Sequence, residues 1–100
     1  MARISERIRH RQGALLVDLH ATCQAPPGSD YAIDLWYAPH GGEAGSQVET
    51  VTIVAGETYG FRSLDGQKML PFDSEVWLSE PDAGRPAGLA VTVGFDRPTV

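Results

Sequence analysis

Two residue pairs in this 100-residue chain have types and spacing that could do chemistry. His20 and Cys23 stand in an H-x-x-C spacing, which on a loop supplies two ligands for zinc. His40 and Glu43 would work as acid and base if something held them face to face. Their settings argue against both roles. From Ala14 to Ala25, Leu15, Val17, Leu19, Ala21 and Cys23 alternate with Asp18, His20, Thr22 and Gln24, the period of a half-buried strand. Opposite parity sends the histidine to the surface and the thiol to the core. His40 and Glu43 fall in Pro39-His40-Gly41-Gly42-Glu43-Ala44-Gly45-Ser46, whose glycines leave no fixed geometry. The sequence therefore predicts no catalytic set, no metal ligands and no cofactor.

The other segments repeat this strand pattern. Tyr31, Ile33, Leu35 and Tyr37 oppose Ala32, Asp34 and Trp36, and Val51 and Ile53 alternate with Thr50 and Thr52. Tyr59 and Phe61 resume the alternation, and Asp65-Gly66 favours a two-residue hairpin, because glycine accepts positive φ without steric cost. That hairpin would set Phe61 opposite Leu70 and Tyr59 opposite Phe72, all on the core face. Ser74, Val76 and Leu78, then Leu89, Val91, Val93 and Phe95, give two more inward rows. Pro26-Pro27-Gly28-Ser29-Asp30 and Pro81-Asp82-Ala83-Gly84-Arg85-Pro86 mark turns between them. One all-β domain follows, an antiparallel β-sandwich of about seven short strands over residues 14–100, with an N-terminal arm over 1–13.

Charge divides the chain in the same place. Arg3, Arg7, Arg9 and Arg11 against Glu6 put +3 in the first 13 residues, while four Lys or Arg against twelve Asp or Glu leave −8 in the rest. Nucleic acid is disfavoured as a partner, because an acidic body repels phosphate and only the arm would attract it. Periodicity fits the arm equally to a charged edge strand or to a helix, and either could dock on an acidic neighbouring subunit. A single cysteine excludes an intrachain disulfide. Neither a signal-peptide core nor a run of about 20 apolar residues is present, so the expectation is cytoplasmic synthesis and no membrane partner.

One irregularity points to a surface. The aliphatic residues of each strand share a parity, but Trp36 and Trp77 take the other, beside Asp34 and Glu75. A bulge, or a cover formed by the arm or the Gly-rich loop, would hide the rings. Left open, they would anchor a protein interface, each ring burying about 150–250 Å², or stack against sugar rings.

The order Ile53, Gly56, Tyr59, Phe61 resembles the corner between the fifth and sixth strands of fibronectin type III and other immunoglobulin-like domains. Cys23 followed thirteen residues later by Trp36 is similar to the cysteine and tryptophan of the immunoglobulin pattern, although Phe61 stands where the second cysteine would be. The resemblance implies a corner role for Tyr59, its hydroxyl turned back to an upstream backbone group, and an architecture but no activity. A free-standing domain of this kind also looks similar to small bacteriophage virion proteins such as capsid decoration or tail components. The function expected is thus a non-catalytic structural or interaction module that assembles with itself or with a larger complex, through Trp36, Trp77, Arg3, Arg7, Arg9 and Arg11. The alternative is a carbohydrate-binding module using the tryptophans.

Overall fold

The computed structural model describes residues 2–3, 5, 7–10, 13–39, 41–42, 45–70 and 73–96, and these form eight strands and no helix. They are β1 (Ala2–Arg3), β2 (Ile8–His10), β3 (Ala14–Thr22), β4 (Tyr31–Pro39), β5 (Ser46–Ile53), β6 (Tyr59–Leu70), β7 (Ser74–Glu80) and β8 (Ala90–Asp96). One sheet has the order β1-β7-β4-β5, with β2 sharing the β7 edge with β1, and the other has the order β6-β3-β8. Every pairing is antiparallel.

The core forms where the inner rows meet. Leu16, Leu19 and Ala21 of β3 pack with Tyr31, Ile33 and Leu35 of β4, Val51 and Ile53 of β5, Leu70 of β6 and Val76 of β7. Each large aliphatic side chain fully withdrawn from water contributes about 1.5–3 kcal/mol. Leu89, Val91, Val93 and Phe95 lie partly buried against this cluster.

Three local expectations are corrected. In β3 the inward row does not begin with Leu15 and Val17. The register slips at Val17 against both neighbours, so Leu16 is the buried residue there and the expected parity resumes at Leu19. A bulge adds one residue to one strand and reverses the faces beyond it.

Asp65-Gly66 does not reverse the chain. β6 continues antiparallel to β3 from Tyr59 to Leu70, and the four residues 64–67 oppose the single Val17. A hairpin would need its arms to pair with each other, whereas both flanks of Asp65-Gly66 pair with β3: Tyr59–Ser63 with Asp18–Thr22, and Lys68–Leu70 with Ala14–Leu16. Phe72 lies outside the described residues.

Tyr59 and Phe61 are not core residues, being 53% and 47% exposed, and the buried position between them is Gly60. A Cβ on Gly60 would run into the Thr52 carbonyl, so β6 presses backbone against backbone on β5 and turns its aromatic rings to the other side. A tyrosine-corner role requires a buried hydroxyl, and Tyr59 does not have that setting.

The arm is extended. Ala2 and Arg3 pair with Glu80 and Ser79, and Ile8, Arg9 and His10 pair with Val76, Glu75 and Ser74. Between the two pieces the Leu78 amide donates to Ser5 Oγ at 2.8 Å, a side chain standing in for the missing strand partner.

Candidate interaction surfaces

Trp36 and Trp77 are direct partners across β4 and β7, side by side on the outer face of their sheet. Each is half-buried, and the contacts show why. Trp36 Nε1 donates to Ser79 Oγ at 2.7 Å. The Arg7 guanidinium lies 4.4 Å from the centre of the Trp77 ring, a cation–π contact, and Gly45 is so close to that ring that a Cβ would overlap it. Arg7 also donates to the Gly42 carbonyl at 2.7 Å and pairs with Glu75 at 2.8 Å. The arm and the Gly-rich loop thus fold over Trp77. A partner would meet the rim of this pair.

Arg9 stays with the arm's own sheet. Its guanidinium holds both carboxylate oxygens of Asp73 at 2.6 and 3.1 Å, and the pairing raises its pKa further above the usual arginine value. Asp73 carries a positive φ of 61° at the turn into β7, a conformation that aspartate tolerates better than most residues. The backbone of Arg3 pairs in β1, and Arg11 lies outside the described residues, as do His40 and Glu43.

The more open surface is on the other sheet. Tyr59, Phe61 and Met69, all on β6, are 53%, 47% and 54% exposed. His20 stands between the two rings, its centroid 4.6 Å from Phe61 and 6.0 Å from Tyr59, edge to face at 71° and 73°. Such contacts are worth about 0.5–1.5 kcal/mol and hold the rings upright without covering them. Arg62, the cross-strand partner of inward Leu19, turns to the other side of β6 and reaches Glu49 of β5 at 3.4 Å. Sequence reasoning placed Tyr59 and Phe61 inside; the signal it passed over is Gly60, a residue without a side chain at the position that faces the neighbouring backbone.

Cys23 packs partly against the core while His20 faces out, so the two do not converge. Among the described residues no group of three or more His, Cys, Asp or Glu side chains could hold a metal ion. A second polar cluster ties three elements together. Glu80, 6% exposed, accepts from the Tyr31 hydroxyl at 2.6 Å and from Arg85 Nε at 3.0 and 3.1 Å. The Arg85 bond holds the Glu80 carboxyl below its ordinary pKa against the opposing effect of burial, and burial together with the Glu80 carboxylate pushes Tyr31 up to about 12. A carboxylate held ionised and a phenol held neutral make a structural tie between β4, β7 and the loop after β7.

Compared with family models, with curated proteins and with solved structures, the chain matches none.

Proposed function

We propose that this chain is a non-catalytic interaction module, one subunit of a larger protein assembly, which meets its partner through the outer face of the sheet built from β6, β3 and β8. The observation that carries this reading is the half-exposed set Tyr59, Phe61 and Met69 on the outer side of one strand. Tyrosine, phenylalanine and methionine are types enriched at protein interfaces, and a ring already held upright loses little freedom on binding. Trp36, Trp77 and Arg7 make a second, narrower contact on the opposite sheet. A protein partner is favoured over a sugar because the His20 ring stands across its neighbours at 71° and 73°, so these three rings do not form one flat platform.

The architecture we infer is a variant of the immunoglobulin-like sandwich. The pairings of β3 with β6 and of β4 with β7 correspond to the B–E and C–F pairs of that fold, although here the first strands join the sheet of β4 and the last joins that of β3. The wider setting we infer is a multi-subunit particle such as a phage capsid or tail.

Affinity capture from the cells that express the chain tests the reading. The wild-type chain should retain a partner that the Tyr59→Ser/Phe61→Ser double variant retains about tenfold less, two central anchors having been removed. Equal retention by both would sink it.

A further inference from the structure

We infer that β8 is a self-complementary edge through which two copies of this chain pair, β8 against β8, into one continuous sheet. The inference goes beyond the proposed function, since it uses the edge of the sheet opposite to β6 and stands without the Tyr59–Phe61 face.

The two sheets have four edges among the described residues, and three of them are blunted. The edge formed by β1 and β2 is broken into pieces of two and three residues and carries Arg9. β5 slips register between Gln47 and Glu49. β6 carries three extra residues opposite Val17, and its Gly60 lies against the Thr52 carbonyl of β5, so those two edges close on each other. These are the devices by which sheets avoid pairing with strangers. β8 has none of them. Its sequence Ala90-Val91-Thr92-Val93-Gly94-Phe95-Asp96 contains no proline, no lysine and no charge before its last residue. The register slip between β3 and β8 comes from Val17 of β3, which leaves β8 itself regular. Among the described residues, β3 is the strand that pairs with it, on one side.

The occupant is a second copy because this strand matches itself. Antiparallel pairing about a two-fold axis at Val93 sets Val91 opposite Phe95, Thr92 opposite Gly94 and Ala90 opposite Asp96 of the other copy. Apolar residues then meet apolar residues on the inner face, and no two like charges stand opposite each other. The space beside the strand agrees. A groove of about 610 Å³ opens between the sheets at this edge, lined by Leu78, Leu89 and Val91 with Ser5 and the loop from Arg85 to Gly88. Phe95, which packs on its own His10 ring at 4.8 Å, would lie opposite Val91 of the other copy on the same face. Seven residues span about 23 Å of strand. That is a small contact beside the roughly 800 Å² per partner of a stable complex, so the dimer is weak and concentration-dependent.

Sedimentation equilibrium of the full chain from micromolar to millimolar concentration, with three single variants, tests the pairing and its register. Ala90 and Thr92 are both exposed on the outer face, so lysine or glutamate there leaves the core intact. Ala90→Lys should tighten the dimer several-fold, because the lysine meets Asp96 twice across the axis, and Ala90→Glu should weaken it several-fold for the opposite reason. Thr92→Lys makes the same change in net charge opposite Gly94 and should move the constant less than Ala90→Lys. The amides between Ala90 and Asp96 that point away from β3 should gain protection from hydrogen exchange as the dimer forms. A chain that stays monomeric to millimolar concentration, or a dimer that responds equally to Ala90→Lys and Thr92→Lys, would overturn the inference.

Discussion

The tie of buried Tyr31 and Glu80 to exposed Arg85 sets how this protein responds to pH. Tyr31 is neutral in the fold and its pKa rises from 10.0 to about 12, so its contribution is complete below pH 10 and is lost as pH climbs to about 12. Glu80 shifts the other way. Its folded pKa lies below the ordinary 4.5, so its contribution is complete above that value and disappears as pH falls through the folded pKa. His10 adds to the acid side: burial lowers its pKa from 6.5, so the unfolded chain takes up a proton first and stability declines as pH drops below 6.5. Stability should therefore be greatest between neutrality and pH 10. Absorbance at the phenolate band should show one tyrosine ionising near pH 12, and Tyr31→Phe should remove that step. Glu80→Ala should cost about 1–3 kcal/mol by urea titration, the penalty of a buried hydroxyl left without its acceptor.

At the scale of elements, alternation alone identified most of the inner rows, because period two survives wherever a strand is regular. Ile33, Leu35, Val51, Ile53 and Val76 are buried as their parity predicts. The failures share one cause. Val17, and the four residues of β6 that oppose it, shift register in a way that no local pattern announces, since a bulge is decided by the neighbouring strand. Asp65-Gly66 carries a hairpin preference worth less than the pairing that both of its flanks make with β3. The outward turn of Tyr59 and Phe61 depends on Gly60, whose backbone contact with Thr52 predicts the cost of any side chain there. Gly60→Ala should destabilise the chain by about 1–3 kcal/mol, an overpacking cost read from thermal or urea unfolding. A neutral substitution would mean that the two strands lie further apart than described.

For the whole molecule, two sheets around one core leave four kinds of surface among the described residues: a tryptophan pair of which Trp77 is covered by the arm, an open aromatic face, an edge closed by β5 and β6, and an edge left regular at β8. The covered pair was half legible in the sequence. The parity of Trp36 and Trp77 placed them off the core face, but only the folded chain brings Arg7 and Gly45 over Trp77. The open face was not legible, because its aromatic residues have the composition of a core and their direction is set by a glycine and a distant strand. The open face exists only if Tyr59 and Phe61 lie outside the core, and the urea unfolding free energy of the Tyr59→Ser/Phe61→Ser variant tests that directly. Surface placement predicts a loss of no more than about 2 kcal/mol, from the ring contacts with His20. A loss of about 6–10 kcal/mol, the sum of two aromatic core truncations, would place both rings inside and contradict it.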